Sequence, residues 1–388
     1  MDRKEGSDLK EKREISAETS QCFHWPISYM KKETYKKGDV IFRIGDKADK
    51  MFYIIKGAIK LPEINKIVRE GEVIGEMGLF SPYRERMASA ICFEDLEVYT
   101  LGKDDIVDLA RKDCTVVIDL MQLSFQRFIE NIRREVEAKE RIRSELRIAT
   151  EIQMSMLPRT FPPFPEREEF DIYATMDPAK EVGGDFYDFF FIGEKKLCFL
   201  IGDVSGKGVP AALFMAISKA LLKTEAQRGL SASEILERVN KALYPDNDAC
   251  MFVTVFCVIL DTETGQIEYS NGGHNPPLIG NKERGFEYLE VPKGCVVGAM
   301  PESRYQTREM KMREGDVIFL YTDGVTEAMN SEKRMFSEGR LKECLNRLKD
   351  RSIIDIIQGV RTEIKIFAEE EPQSDDITMV AVRFKARI

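Results

Sequence analysis

Residues 196–213, K-L-C-F-L-I-G-D-V-S-G-K-G-V-P-A-A-L, decide how this chain is read. An apolar run of strand character ends at Asp203. Gly206 and Gly208 let the backbone turn tightly, and Val209-Pro210-Ala211-Ala212 opens a helix. Asp203 is therefore presented at the end of a strand. Three other aspartates stand where an apolar run gives way to glycine or a small polar residue: Asp185 in V-G-G-D-F-Y-D (182–188), Asp323 in Y-T-D-G-V-T-E (321–327) and Asp375 in S-D-D-I-T (374–378). Four carboxylates facing one cleft repel one another unless hard cations neutralise them. All-oxygen donors suit Mg²⁺ or Mn²⁺, whereas zinc favours His and Cys. The arrangement implies a two-metal hydrolase acting on a phosphate ester. A lone Asp-Gly is ordinarily a turn and most acidic residues are solvated surface. The recurrence of the pattern four times carries the reading.

The segments G-G-D-F-Y-D (183–188), G-D-V-S-G-K-G-V-P-A-A-L (202–213), N-G-G-H-N-P-P-L (271–278), Y-T-D-G-V-T-E-A (321–328) and S-D-D-I-T-M-V (374–380) follow in that order. Together they resemble the stage II sporulation protein E-type phosphatases, a bacterial branch of the Mg/Mn-dependent serine/threonine phosphatase family. The resemblance covers about residues 146–386. It implies an α+β fold of α-β-β-α sandwich type and two Mn²⁺ or Mg²⁺ ions. Asp203 would bridge both ions, and the Val204 carbonyl would add an uncharged oxygen. Asp323 and Asp375 would complete one metal site. Asp185 would hold a coordinated water, with Asp188 as a helper, so Asp185 and Asp203 are the catalytic candidates. Asp376 stands where relatives often carry Asn; it stays among the candidate ligands, with Asp375 preferred. Lys180 and Lys207 are candidates for contact with the substrate phosphate, set against plain solvated lysines. His274 is either a proton donor or a structural turn residue.

Upstream, Y-K-K-G-D-V-I-F-R-I-G-D-K-A-D-K-M-F-Y-I-I-K-G (35–57), G-E-V-I-G-E-M-G-L-F-S-P (71–82) and R-E-R-M-A-S-A (84–90) read as short strands with turns between them. This stretch is similar to the cyclic-nucleotide-binding β-roll domains. The resemblance implies that Glu76 meets a ribose hydroxyl and Arg86 the phosphate of a cyclic nucleotide. Met87, where a Ser or Thr is usual, and the short stretch between Leu61 and Gly71 depart from that pattern. The domain is read as a sensor of unspecified input, with Glu76 and Arg86 as a structural ion pair in the alternative reading.

Between these domains strand signals vanish. Met121, Phe125, Phe128, Ile132, Glu135, Lys139, Ile142, Leu146, Ala149, Gln153 and Met156 are spaced four and three apart. Such a seam is expected of a helix pairing as a coiled coil, and Pro158 stops it. The chain is thus read as a tail (1–25), a β-roll sensor (26–110), a helical linker (111–157) that makes a homodimer through residues 114–157, and a catalytic domain (158–388).

The 388 residues carry a formal charge of −9, which argues against a nucleic-acid partner. The eight cysteines are scattered without a C-x-x-C pair, as in a reducing compartment. The longest apolar run, Cys250–Leu260, is too short to cross a bilayer and reads as a core strand. The N-terminus is charged and lacks a signal-peptide core, so a cytoplasmic protein without membrane insertion is expected. The family resemblance implies a phosphorylated protein as substrate, namely an anti-sigma-factor antagonist in a partner-switching pathway. The competing readings are a pseudophosphatase that captures a phosphoprotein, and a nucleotide-sensing dimeric scaffold. Loss of metal aspartates would mark the former, and none of the four is lost.

Overall fold

Short alternating runs separated by Gly-Asp and Lys-Gly turns make strands in the first unit, because side chains two apart share a face. The computed structural model describes residues 26–245 and 247–386, apart from the side chains of Val116, Leu123 and Arg127. The tail read at residues 1–25 lies outside the described residues. The chain divides between residues 140 and 141 into two compact units.

The first unit contains β1 (Lys31–Tyr35), β2 (Val40–Phe42), β3 (Lys50–Lys56), β4 (Ala58–Leu61), β5 (Lys66–Arg69), β6 (Val73–Ile74), β7 (Ala90–Cys92) and β8 (Leu96–Gly102). They form two antiparallel sheets, ordered β1-β8-β3-β6 and β2-β7-β4-β5. Phe42, Phe52, Ile54, Ile59 and Val98 fill the roll between them. A short helix α1 (Glu76–Phe80) follows β6, and α2 (Lys103–Lys112) follows β8. Met51, Leu101, Ile106 and Leu120 make a second cluster, which seats α2 and the start of α3 (Cys114–Met156) on the roll. Farther along α3, the seam residues Met121, Phe125, Phe128, Ile132 and Ile142 are exposed. The two charged seam positions satisfy each other, with Lys139 Nζ 2.8 Å from Glu135 Oε1.

In the second unit, β9 (Phe170–Asp177), β10 (Phe186–Ile192), β11 (Lys196–Val204), α4 (Val209–Ala226), α5 (Ala232–Leu243), β12 (Val253–Asp261), β13 (Gln266–Gly272), β14 (Leu278–Asn281), β15 (Gly285–Tyr288), β16 (Arg308–Lys311), β17 (Val317–Tyr321), α6 (Asp323–Thr326), α7 (Ser337–Leu348), α8 (Ile353–Ala368) and β18 (Ile377–Phe384) follow one another. Two antiparallel five-stranded sheets result, ordered β10-β11-β12-β13-β16 and β15-β14-β17-β18-β9. Strand β17 shows how they stack. Ile318 and Leu320 join the core shared with the first sheet, whereas Val317, Phe319 and Tyr321 face α7 and α8. Helices α4 and α5 cover the first sheet in the same way, through Met215, Leu222, Ile235 and Leu236. β11 is apolar on both faces because each face is covered. The four layers are helix, sheet, sheet, helix, as the sequence suggested.

One buried charge sits off the core. Asp188 on β10 accepts from Lys219 Nζ of α4 at 2.6 Å, with side chains 2% and 11% exposed. Strand alternation places Asp188 on the face opposite Asp185, so it is not the helper at the aspartate cluster that the sequence suggested. Replacing Lys219 with Met should destabilise the unit by about 3 kcal/mol, because the carboxylate stays buried with the Phe189 N–H on one oxygen and, as counter-charge, the more distant Lys223. Urea unfolding measures the loss. An unchanged midpoint would mean that Asp188 is solvated in solution.

Candidate metal centre

Pairing of Tyr321 with Met379 on β17 and β18 brings Thr322-Asp323 alongside Asp375-Asp376 at one edge of the sandwich. On the facing sheet, Asp203 is the last but one residue of β11, opposite Thr254. Asp185 heads β10 and is buried. Its Oδ2 accepts hydrogen bonds from Thr322 Oγ1 at 2.7 Å and Thr378 Oγ1 at 2.6 Å. Burial, then Asp203 and Asp376, push its carboxyl well above the usual range, against the pull of the two threonines. Asp203 is pushed up to about 7 by burial and then by Asp323 and Asp375. Asp323 opens α6, and its carboxyl is raised by burial, Glu327 and Asp375. These groups feel one another across loops distant in sequence. Burial is the largest cause of each shift, and the neighbouring carboxylates add to it.

Among the described residues, no three of His, Cys, Asp or Glu stand close enough to hold an ion as their side chains lie. The reason is visible in the partners they already have. Asp375 Oδ1 accepts from the Asp376 N–H at 2.9 Å, and Oδ2 lies 2.8 Å from Lys207 Nζ, a stand-in cation. Lys207 was read as a phosphate contact; in this arrangement it is held by Asp375. Asp376 has a different task from Asp375. Its Oδ1 accepts from the Ala179 N–H at 2.8 Å, and its Oδ2 from the Gly184 N–H at 2.9 Å. It therefore shapes the loop that carries Asp185. The donor set that remains, Asp203, Asp323 and Asp375 with the Val204 carbonyl, is all oxygen and short of cation, which fits a hard divalent ion. Lys180 is exposed.

Three contributors escaped the sequence reading. Thr322 and Thr378 lie inside the motifs Y-T-D-G and S-D-D-I-T, and their place beside the aspartates was the available signal. Gln153, assigned to the seam, is instead buried against the Gly-Gly-Asp loop. Its Nε2 donates to the Gly183 carbonyl at 2.6 Å, and its Oε1 accepts from the Gly183 N–H at 3.1 Å. His274 is structural: Nε2 donates to the Tyr321 carbonyl at 3.1 Å, which leaves Nδ1 to accept from Thr254 Oγ1 at 2.8 Å. Burial holds its pKa down to about 4, so it is neutral and ties the strand end beside Asp203 to the strand before Asp323.

In the β-roll, Arg86 is a core residue. Its guanidinium lies 4.2 Å over the Phe42 ring, Nη1 donates to the Gly75 carbonyl at 3.2 Å, and Nη2 reaches Asp49 at 3.4 Å. Glu76 is buried at the start of α1, and Met87 is exposed. The Arg86 fork is thus held by the Gly75 carbonyl on one side and by Asp49, 69% exposed, on the other.

Residues 193–385 match the family model for stage II sporulation protein E. The second unit belongs to the stage II sporulation protein E family. Residues 32–113 match the cyclic nucleotide-binding domain model. The chain is 34% identical over 269 residues to Protein IcfG of Synechocystis, a match covering 62% of this chain and 41% of that protein. It is 29% identical over 248 residues to phosphoserine phosphatase RsbU of Bacillus subtilis, covering 64% and 72%. The SiaA-PP2C domain of Pseudomonas aeruginosa shares the fold of the sporulation-type unit: TM-score 0.57, 21% identity, 64% of this chain and 99% of that one. The match thus spans less than half the length of IcfG. Among the described residues, no helix is long and apolar enough to cross a membrane.

Proposed function

We propose that the sporulation-type unit is a metal-dependent phosphatase that removes phosphate from serine or threonine of a protein. The observation that carries this is the convergence of four motif aspartates at one edge of the sandwich, where burial and then the neighbouring Asp323 and Asp375 push Asp203 up to about 7. The family match supports it. Asp203 and the Val204 carbonyl would hold the metal, with Asp323 and Asp375 beside them and Asp185 on a coordinated water. Bound Mg²⁺ or Mn²⁺ would supply Lewis-acid stabilisation of phosphoryl charge and a water acidic enough to act as nucleophile. The chain's own groups orient the rest. Thr322 and Thr378 fix the Asp185 carboxylate, and Asp376 fixes the backbone that presents it. A cleft of about 450 Å³, bounded by Asp177, Gly324, Met329, Arg361 and Gln373, opens beside the Asp375 loop and gives room for residues flanking the phosphoresidue.

The partner on this reading is an anti-sigma-factor antagonist, as the motif resemblance implies, and the similarity to a protein named phosphoserine phosphatase RsbU supports a phosphoserine substrate. Residues 26–110 act as the sensor, 111–157 as the linker and 158–388 as the catalytic domain. Two chains pair along the exposed stripe of α3. Gln153 gives that helix a direct hold on the loop of Asp185, which supports regulation through the linker. The β-roll receives no ligand assignment, given how Arg86 is engaged. A reducing cytoplasmic setting accords with the unbonded cysteines of the described chain.

Hydrolysis of p-nitrophenyl phosphate and of a phosphoserine peptide by the full chain, with Mn²⁺ and with EDTA, tests the activity. Mn²⁺-dependent release is expected. Manganese uptake without turnover on either substrate would replace the enzyme by a phosphoprotein-capturing module. Sedimentation of the wild type against Phe125→Glu tests the dimer, and a monomer in both would remove it.

A further inference from the structure

Asp185, Asp203, Asp323, Asp375 and Asp376 crowd one edge of the second unit, and a lysine sits among them. Lys207 Nζ donates to the Ser374 carbonyl at 2.7 Å and lies 2.8 Å from Asp375 Oδ2. The proposed chemistry needs that oxygen for a metal ion. The other oxygen already accepts from the Asp376 N–H, and two cations at Oδ2 repel one another, so lysine and ion compete for it.

The arm that carries Lys207 has room around it, whereas the carboxylate it holds lies on a braced loop. Ser205 is pinned to Phe252 by its N–H, 2.9 Å from the Phe252 carbonyl, and by its hydroxyl, which accepts from the Phe252 N–H at 3.0 Å. Helix α4 begins at Val209, so only residues 206–208 span the gap between two fixed points. Gly206 and Gly208 flank the lysine at φ +85° and +79°, with nothing within 4 Å of where a side chain would begin. Both conformations are ones that glycine adopts freely, and the space around them is open. Asp375 instead lies on a loop braced by Gln373, whose Nε2 donates to the carbonyls of Asp177 and Asp375, both at 2.7 Å.

We infer that Lys207 is an exchangeable counter-ion: it holds Asp375 while metal is absent, yields that carboxylate to an incoming divalent ion, and then offers its ammonium to the substrate phosphate. This rests on the metal-site reading above. An ammonium on a flexible stem suits the exchange, being a compact point charge that makes no bidentate fork. The two side chains are 43% and 36% exposed, so water half screens the pair and its grip is weak enough to release. Metal loading and phosphate binding thereby become linked through one side chain.

Calorimetric Mn²⁺ titration of the full chain tests this with Lys207→Met, Lys207→Arg and Lys180→Met. Lys207→Met should bind Mn²⁺ about two- to fivefold more tightly, the range for a half-screened ion pair. Its KM for p-nitrophenyl phosphate should rise severalfold. Lys207→Arg should restore metal affinity to within a factor of two of wild type, and Lys180→Met should leave it unchanged. Equal or weaker Mn²⁺ binding by Lys207→Met overturns the inference. So does an equal gain in Lys180→Met, which would reduce the effect to a general field. If the wild type and Lys207→Met both bind no Mn²⁺, the metal-site reading itself has failed and this inference goes with it.

Discussion

Asp203→Asn should lose Mn²⁺-dependent hydrolysis by on the order of a thousandfold and, in the metal-free protein, melt at a higher temperature than wild type. The two effects have one cause. In the folded, metal-free chain Asp203 is pushed up to about 7, against an ordinary value of 3.8. A carboxyl raised in this way binds more protons folded than unfolded between those pH values. Stability therefore falls as pH rises from about 4 to about 7. Discounted for partial exposure, the ionised group costs on the order of 3 kcal/mol at neutral pH. Asparagine removes the charge and keeps the shape. Scanning calorimetry at pH 5 and pH 7.5 should show wild type losing more stability than the variant between the two. Mn²⁺ should raise the melting temperature of wild type only, because a ligand of the folded state stabilises by mass action. A variant that melts lower without metal, or still responds to Mn²⁺, would remove Asp203 from the centre.

Gly324→Ala should be nearly as damaging without touching a charge. A side chain there would begin 2.0 Å from the Asp376 carbonyl oxygen and 3.3 Å from that of Asp375. Both obstacles are backbone, so neither can rotate away. The loop bearing Asp375 must shift relative to Asp323, and misplacement of reacting groups by about 1 Å costs on the order of a hundredfold in rate. Overpacking of this kind also lowers stability by roughly 1–3 kcal/mol. Turnover against Mn²⁺ concentration, together with thermal melting, checks both. Wild-type kinetics in the alanine variant would mean that the two loops do not meet in solution.

Much of this site could be read from residues alone, because strand ends leave a compact signature. The apolar run of β11 stops at Asp203, and glycines and a proline announce the turn and helix that follow. The run Cys250–Leu260, read as a core strand, is β12, and the helix that Val209-Pro210 announces is α4. What could not be read is direction. Asp375 and Asp376 are chemically identical neighbours, and only the folded chain shows that one faces a lysine while the other takes backbone N–H groups. Asp188 shares a motif with Asp185, yet strand alternation turns it to α4. The heptad spacing of α3 placed Gln153 in the seam, since spacing ignores that an amide side chain can match a peptide group in both directions. Thr322 and Thr378 were overshadowed by the aspartates beside them, and nothing in a hydroxyl's sequence position tells which carboxylate it will serve.

The paired hydrogen bonds between Gln153 and Gly183 have a mechanical corollary. A helix advances 1.5 Å and turns about 100° with each residue. If α3 slipped by a single residue, the amide would leave its mate entirely, since no partial overlap keeps both donor and acceptor aligned. If the proposed linker does act through α3, the Asp185 loop would meet a ratchet tooth and not a spring, either engaged or let go with no graded setting between.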